Sequence, residues 1–220
     1  MAGNHTRVNI LVEGQTEETF VRELLAPHLV ALQVYLTPRI IETSKGHKGG
    51  VVSFGKIVHQ VKRWCRHDQN AKVTTMFDLY GLPSDFPGIA NWNNNQPALL
   101  QVAALEASLA ASISQPNLIP YFQLHEYEAL LFSDLAAFKY ADVPQIVIEA
   151  WQRELALCAG PENVNNSRST APSKRLIARW PQYEYAKPQF GVLIALEIGL
   201  PRIRQQCPRF DEWVSVLESL

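Results

Sequence analysis

Cysteine and charge are both scarce in this 220-residue sequence. Its three cysteines, Cys65, Cys158 and Cys207, lie far apart and form no CxxC pair, so neither a structural zinc site nor a disulfide framework is indicated. Charged residues make up 19% of the chain, whereas 47% are hydrophobic and 10% aromatic. A chain of this length and composition can bury a sizeable core without a metal or an oligomer, and we expect a single compact unit.

Several familiar motifs are also absent. No apolar stretch approaches the length of a membrane span, and the apolar segment around Ile10 is too short for a signal peptide, so we expect a cytoplasmic protein. The missing GxxxxGK[ST] loop argues against hydrolysis of nucleoside triphosphates by this chain alone. The missing GxSxG elbow, and cysteines without a motif around them, argue against a serine or cysteine hydrolase.

The formal net charge of −1 conceals an uneven distribution of charge along the chain. Residues 39–72 carry a net charge of +6 and residues 73–167 a net charge of −8, while residues 1–38 and 168–220 carry −2 and +3. A protein that cuts nucleic acid needs a phosphate-binding surface beside a carboxylate-lined site, and these two segments could supply them. The alternative is that the charges mix in the folded molecule.

Short apolar runs alternate with helical patterns in the first two thirds of the sequence. Strands are predicted at residues 7–12, 34–42, 73–77 and 117–124, and the last of these contains Pro120, which suits an edge strand. Helices are predicted from Thr16 as N-cap, at residues 51–65 and at residues 98–113. This alternation predicts an α/β fold with a parallel sheet flanked by helices.

The pattern changes at about residue 140 to helices separated by proline-rich turns. We predict an α/β core over residues 1–140 and a helical extension over residues 141–220 that packs on it as part of one compact domain. The last segment has Phe210, Trp213, Val214 and Leu217 at helical spacing, which predicts an amphipathic helix.

Carboxylates follow three of the predicted strands: Glu13, Asp78, and the pair Glu126 and Glu128. The carboxyl ends of parallel strands meet at one edge of a sheet, so these acids can converge there. Like charges converge at a cost unless a cation neutralises them, and hard oxygen ligands favour Mg²⁺ or Mn²⁺. Glu17 is a further candidate ligand, although it could merely serve a helix N-terminus. Which of Glu126 and Glu128 binds metal is open, because on a helix they would not share a face.

Two basic clusters are candidate contacts for phosphate. Lys45 and Lys48 lie in the glycine-rich segment SKGHKGG, and Lys174 and Arg175 lie in APSKR at a predicted helix start. A solvated surface is the alternative for both clusters. His125 is either a core histidine or a proton-transfer group.

Five long motifs carry a family resemblance: LVEGQTEETF, TTMFDLYGLPSDFPG, IPYFQLHEYEALLFSD, PENVNNSRSTAPSKR and the closing YAKPQFG…IGLPRIRQQCPRFDEWVSVL. In this order, and across nearly the whole chain, they resemble the bacterial domain of unknown function 4276 family (DUF4276). That family is similar to Toprim-like proteins, the fold of primases, topoisomerases and the overcoming-lysogenization-defect (OLD) nucleases. The resemblance implies a Toprim-like Rossmannoid sheet, a Mg²⁺ or Mn²⁺ cofactor, DNA or RNA as substrate, and phage defence beside an ATPase partner of the AAA or ABC type. A homo-oligomer is left open.

The resemblance also implies roles for single residues. Glu13 corresponds to the glutamate that ends the first Toprim strand, a metal ligand or general acid/base, and Glu17 to the second glutamate of the EGxxE pattern. Asp78 matches the first aspartate of the Toprim DxD motif, but Tyr80 stands at the place of the second. We therefore predict a metal-dependent nuclease with Glu13 and Asp78 as catalytic residues. The alternatives are a catalytically weak adaptor that binds nucleic acid or an ATPase, and a hydrolase of small phosphorylated substrates.

Overall fold

A sheet of five parallel strands lies at the centre of the fold. The computed structural model describes residues 5–44, 47–48, 53–93, 95–164 and 168–220. The strand order is β2-β1-β5, and β5 pairs on its other side with both β6 and β7. The strands are β1 (Thr6–Val12), β2 (Val34–Ile40), β5 (Lys72–Asp78), β6 (Leu118–Ile119) and β7 (Phe122–Gln123); β3 (Glu42–Ser44) and β4 (His47–Lys48) form a separate antiparallel pair. The predicted α/β class and parallel sheet are confirmed.

Helices cover the sheet and make up the C-terminal third of the chain, as predicted. The first helical stretch is α1 (Gln15–Phe20), a π-helical segment (Val21–Leu25) and α2 (Ala26–Val30) in direct succession. The others are α3 (Phe54–His67), α4 (Ala98–Ile113), α5 (Glu128–Leu131), α6 (Gln145–Leu155), α7 (Pro172–Arg179), α8 (Lys187–Ile198), α9 (Leu200–Gln206) and α10 (Pro208–Glu218), with short 3₁₀ turns between several of them. In the part of the chain that the structure describes, none of the helices is long and apolar enough to cross a membrane.

Each face of the sheet has its own hydrophobic core. Side chains of a strand alternate between the faces, so Val8, Ile10 and Val12 of β1 pack in a core with α1, α8, α9 and α10. Leu11 points to the opposite face and packs in a second core with α3 and α4. Helices of the C-terminal region thus share a core with the first strand. The division at residue 140 stays a prediction.

The fourth strand position is interrupted at Pro120. A proline cannot donate to a strand ladder, and here it separates β6 from β7. Across the break the side chain of Thr75 replaces the missing backbone pairing. Its Oγ1 accepts a hydrogen bond from the Tyr121 N–H at 2.9 Å and donates one to the Tyr121 carbonyl at 2.8 Å.

The first helix begins differently from the sequence prediction. Gly14, not Thr16, is the N-cap of α1, and the Glu17 carboxylate reaches back to accept a hydrogen bond from the Gly14 N–H at 2.9 Å. A glutamate at the third helical position often satisfies a free backbone N–H in this way. The prediction of Thr16 as N-cap is therefore wrong.

The last helix packs as its spacing predicts. Phe210, Trp213, Val214 and Leu217 of α10 are all buried. The Trp213 ring stacks on Tyr121 with centroids 4.3 Å apart and planes 9° apart. Its Nε1 donates a hydrogen bond to Thr74 Oγ1 at 3.0 Å, so α10 is tied directly to β5.

Candidate active site

The ends of the central strands are level with one another. Val12, the last residue of β1, pairs with Met76 of β5, and Asp78 at the end of β5 pairs with Gln123 of β7. Glu13 therefore leaves β1 beside Asp78, and its Oε1 accepts a hydrogen bond from the Asp78 N–H at 2.9 Å. We call the group formed by Glu13, Glu17, Asp78, Glu126 and Glu128 the carboxylate site.

The chain after β7 bends sharply to reach Asp78. His125 has a φ of 65°, in the left-handed region that non-glycine residues seldom adopt. Its carbonyl accepts a hydrogen bond from the Tyr80 N–H at 3.1 Å. The bend presents the Tyr127 N–H to Asp78, whose Oδ1 accepts it at 2.8 Å. Backbone strain of this kind persists where the surrounding contacts hold it. Here the strained bend connects the end of β7 to the end of β5.

The two glutamates after His125 have different partners. Glu126 lies in the turn, and its Oε2 accepts a hydrogen bond from the Ser173 N–H at 2.9 Å, in the first turn of α7. Glu128 is buried as the first residue of α5. Its Oε1 accepts a hydrogen bond from the Tyr183 hydroxyl at 3.3 Å and lies 3.6 Å from Lys187 Nζ.

Burial and mutual repulsion raise the pKa values of Asp78 and Glu13. For Asp78, burial is the main cause, and Glu17, Glu13, Glu128 and Glu126 add to it, so its pKa lies well above the usual range. Burial, followed by the charge of Glu17, raises the pKa of Glu13 to about 8, although the hydrogen bond from the Asp78 N–H opposes this. All four other members of the carboxylate site thus act electrostatically on Asp78.

Lys187 opposes this repulsion at two positions. Burial raises the pKa of Glu17, and both the Gly14 N–H and Lys187 lower it. Burial raises the pKa of Glu128 to about 7, against the attraction of Lys187. Among the described residues, Lys187 is the cation whose charge acts on these two acids. The site therefore holds more carboxylates than positive charge, and protons or a further cation must make up the difference.

The donor set fits a hydrated, hard cation. Within the described ranges, no group of three or more His, Cys, Asp or Glu side chains is arranged to hold a metal ion. Mg²⁺, however, usually keeps several waters and binds through one or two carboxylates together with substrate phosphates. Glu13 and Asp78, joined by a hydrogen bond at two adjacent strand ends, fit that kind of site.

His125 and Asp85 take structural positions beside the site. His125 is buried, its Nε2 lies 3.1 Å from the Glu162 carbonyl oxygen, and burial lowers its pKa, which favours the neutral ring. Its ring centroid lies 5.4 Å from that of Tyr80. The exposed Asp85 accepts hydrogen bonds from the Phe54 N–H, at 3.0 and 3.2 Å, and so serves the start of α3.

The predicted phosphate contacts that the structure describes belong to different elements. Lys45 lies outside the described residues, and Lys48 belongs to the short strand β4. Lys174 is exposed on α7, the helix whose first turn contacts Glu126. Arg175 forms an ion pair with Glu154 and donates a hydrogen bond to the Thr170 carbonyl at 2.9 Å.

Sequence reasoning missed two residues that shape the site, Lys187 and Gly81. Lys187 is the first residue of α8, where the helix dipole disfavours a positive charge. A lysine there signals a compensating acid, which is Glu128. Gly81 approaches the Glu13 carboxylate so closely that a Cβ would lie 2.5 Å from Oε1. The glycine in FDLYGLP was the only sign of this contact.

Comparison with known proteins assigns the family. Two structures of the C-terminal region of the Xanthomonas campestris pv. campestris OLD protein are similar to this chain. One has 15% identity and a TM-score of 0.41 over 98% of both chains, and the other has 13% identity and a TM-score of 0.39 over 96% of this chain and 95% of that one. None of the curated proteins compared matches the chain. The family model described as domain of unknown function DUF4276 matches residues 12–218. The chain therefore belongs to the DUF4276 family.

Proposed function

We propose that this chain is a Toprim-like, metal-dependent nuclease that hydrolyses phosphodiesters of DNA or RNA. The observation that carries the proposal is the buried, mutually repelling set of acids around Asp78, whose pKa is raised by burial and by four neighbouring carboxylates. A bound cation would neutralise this concentration of negative charge, and strongly shifted pKa values of this kind are typical of functional sites. Buried carboxylates with a purely structural role are usually paired with lysine or arginine, whereas most of these are not.

Glu13 and Asp78 would hold Mg²⁺ or Mn²⁺, with Glu17, Glu126 or Glu128 as further ligands. When bound, such an ion lowers the pKa of a water molecule and offsets the negative charge that develops on the scissile phosphate. The chain's own contribution is orientation. One oxygen of Glu13 is fixed by the Asp78 N–H, and one oxygen of Asp78 is fixed by the Tyr127 N–H.

Positive charge near the site supports the choice of a phosphodiester substrate. Lys187 lies against Glu128 and is half-buried, so it can attract a phosphate without leaving the site. The N-terminal turn of α7 contacts Glu126 and carries the exposed Lys174 close behind it. We keep Arg175 among the proposed phosphate contacts, although its charge is shared with Glu154. We include Lys45 and Lys48 among the residues that contact the phosphates of the nucleic acid. The ATPase partner and the role in phage defence that the family resemblance implies are part of the same proposal, and a homo-oligomer is left open.

The experiment is a cleavage assay with purified protein, single- and double-stranded DNA and RNA, and Mg²⁺ or Mn²⁺. We expect metal-dependent nicking, and Glu13→Gln should reduce it by more than about a hundredfold, since even outer-shell partners of a metal are worth about 10- to 100-fold. Glu23→Gln is the matched control, because it makes the same substitution at an exposed glutamate of the helical stretch that follows Glu13, outside the carboxylate site. Unchanged cleavage by Glu13→Gln would contradict the assignment.

A second candidate is an adaptor that binds nucleic acid or an ATPase without cutting. Two observations favour it: Tyr80 occupies the second DxD position, and the described residues contain no ready-made group of three metal-ligating side chains. Calorimetric titration with Mn²⁺ separates the two functions. Heat of binding that Glu13→Gln abolishes supports the nuclease, whereas no heat at millimolar Mn²⁺ supports the adaptor.

A further inference from the structure

A groove runs along the edge strand β2, bordered by α3 and, over part of its length, by the first helical stretch. It consists of two adjoining cavities of about 590 and 460 Å³ that share Thr37, Arg39 and Trp64 in their lining. One cavity extends to Tyr35 near the start of β2, and the other extends past Ile40 at its end. We call these two adjoining cavities the β2 groove.

Two arginines of the β2 groove are cations without a carboxylate partner among the described residues. The guanidinium carbon of Arg39 lies 4.4 Å from the centre of the Trp64 ring, and that of Arg63 lies 5.8 Å from it. Arg39 Nε also donates a hydrogen bond to Asn9 Oδ1 at 3.3 Å. By contrast, Arg7 and Arg22, which also line the groove, each pair with an acid at 2.9 Å. Arg39 and Arg63 are thus available for an anion, and their two charges exceed the one opposing charge of Glu42 in the same cavity.

Aromatic surface accompanies these charges. Tyr35 is 41% exposed on the edge strand, and Trp64 is half-buried beneath Arg39. Nucleobases stack on aromatic rings and on the planes of arginine guanidinium groups, with little dependence on base identity. A positively charged groove with stacking surfaces is how proteins bind single-stranded nucleic acid.

The length and direction of the groove favour a strand over a single nucleotide. Tyr35 to Ile40 spans about 17 Å at roughly 3.3 Å per residue. Stacked nucleotides follow one another at about 3.4 Å, so about five of them match this length. Ile40 pairs with Val12 in the parallel register, so the far end of the groove is level with the residue before Glu13. A strand in the groove would run towards the carboxylate site.

We propose that the β2 groove binds single-stranded nucleic acid and leads it to the carboxylate site. Arg39 and Arg63 contact the phosphates, and Tyr35 and the Arg39–Trp64 pair stack on bases. The direction of the strand rests on the proposed nuclease function, but binding in the groove does not require cleavage.

Fluorescence anisotropy with a labelled 12-nucleotide oligothymidylate, in EDTA so that cleavage cannot occur, tests this. The double variant Arg39→Ala/Arg63→Ala should bind at least about tenfold more weakly. The slope of log K against log salt should fall by about 0.7 for each phosphate contact removed. Arg66→Ala is the matched control, because it removes an exposed arginine from the same helix outside the groove, and it should bind like the wild type. Arg63→Glu, at an exposed position, serves as a second variant that does not disturb the half-buried Arg39.

The groove assignment is overturned if both groove variants bind like the wild type, if Arg66→Ala weakens binding equally, or if the wild type does not bind the oligonucleotide. The choice of a single strand is wrong if the protein binds a duplex as tightly as the oligothymidylate, or if thymidine monophosphate competes for the groove as effectively as the unlabelled oligothymidylate. Failure of the nuclease proposal looks different: the wild type would bind the strand through Arg39 and Arg63 but would not cut it with Mg²⁺ or Mn²⁺. If the protein cleaves nucleic acid and the groove substitutions leave its affinity for the oligonucleotide unchanged, the groove assignment is wrong and the nuclease proposal stands.

Discussion

The contact between Gly81 and Glu13 fixes where the Glu13 carboxylate can lie. A Cβ built on Gly81 would lie 2.5 Å from Oε1 and 2.8 Å from Cδ of Glu13, well inside ordinary contact distance. The absence of a side chain at position 81 therefore lets the carboxylate accept the Asp78 N–H. Any larger residue must push Glu13 away from this hydrogen bond.

Gly81→Ala should therefore lower metal-dependent cleavage by at least about tenfold, because displacement of a catalytic group by about 1 Å can cost up to 100-fold. Stability should fall by no more than about 1–3 kcal/mol, the cost of leaving the Asp78 N–H without its partner, since the atoms in the way belong to the end of a flexible side chain. Gly55→Ala is the control: a Cβ there meets nothing within 4 Å. Cleavage rates and melting temperatures of the two variants check the prediction, and full activity of Gly81→Ala would refute it.

The raised pKa values predict how stability depends on pH. Glu13 has a folded pKa of about 8 against an ordinary value of 4.5, so between these values the folded protein binds a proton that the unfolded chain releases. Glu128, with a pKa of about 7, behaves in the same way. Stability in EDTA should therefore fall as the pH rises from about 5 to 8.

Thermal denaturation in EDTA from pH 5 to pH 8 measures this slope. For a chain of this size, each kcal/mol of lost stability lowers Tm by about 2–4 °C. Glu13→Gln should flatten the slope, because the amide does not titrate. Mg²⁺ should raise Tm more at pH 8 than at pH 5, because fewer protons compete with the ion for the carboxylates at the higher pH. A Tm that rises with pH over this window in EDTA would contradict the prediction.

At the residue scale, the sequence could predict where Glu13 and Asp78 lie, because position along a strand was enough, whereas their catalytic roles stay predictions. Glu13 and Asp78 follow buried apolar runs, and parallel register places both at one edge of the sheet. Lys187 could not be found in this way. It reaches Glu128 from 59 positions along the chain, through the packing of α8, and a pattern of neighbouring residues carries no information on such a contact.

At the scale of elements, Thr75 holds the interrupted fourth strand to β5. Its buried hydroxyl both accepts from and donates to the backbone of Tyr121. Thr75→Val keeps the shape of the side chain but leaves a buried N–H and a buried carbonyl without this partner. Each unsatisfied group costs about 1–3 kcal/mol.

Urea denaturation should show this loss as a lower midpoint with an unchanged slope. Thr37→Val, on the exposed face of β2, is the control and should stay within about 0.5 kcal/mol of the wild type. Equal stabilities of Thr75→Val and Thr37→Val would show that water or a shift of the backbone replaces the Thr75 hydroxyl.

The sequence predicted secondary structure most accurately where a helical or strand periodicity of apolar residues continued without interruption. Residues 98–113, predicted as a helix, coincide with α4, and the proline break in residues 117–124 appears as the gap between β6 and β7. The start of α1 was misplaced because a threonine near a helix start suggests an N-cap. Glu17 satisfies the backbone N–H of Gly14 there instead.

At the scale of the whole molecule, α10 and the sheet form one structure. Trp213 is 4% exposed, stacks on Tyr121 and donates a hydrogen bond to Thr74 of β5. Its core also contains Val8 and Ile10 of β1. We therefore expect residues 1–140 and 141–220 to unfold together.

Trp213→Ala should lower stability by about 3–5 kcal/mol, with one unfolding transition by both circular dichroism and fluorescence. Val216→Ala, at a 45% exposed position of the same helix, should change it by less than about 0.5 kcal/mol. Two separate transitions in Trp213→Ala would mean that the helical region unfolds on its own.

The charge segments of the sequence anticipated part of this arrangement. The acidic segment, residues 73–167, supplies Asp78, Glu126 and Glu128, and the basic segment, residues 39–72, supplies Arg39 and Arg63 of the β2 groove. The sequence could predict that both kinds of surface exist. Their relative position depends on strand order, since β2 lies beside β1, and strand order is not encoded in any local pattern.

The π-helical segment Val21–Leu25 has a consequence for insertions and deletions. Glu17, Val21, Leu25 and Leu29 are all buried at four-residue spacing. In a regular α-helix that series drifts by about 40° per step, or about 120° over three steps. The wider π turn absorbs part of this drift, so one helical stretch can hold Glu17 in the carboxylate site and Leu29 in the core. A chain shortened by one residue here would turn the two ends relative to each other by about 100°. Homologous chains of different length should thus vary in their loops and keep the length of this stretch.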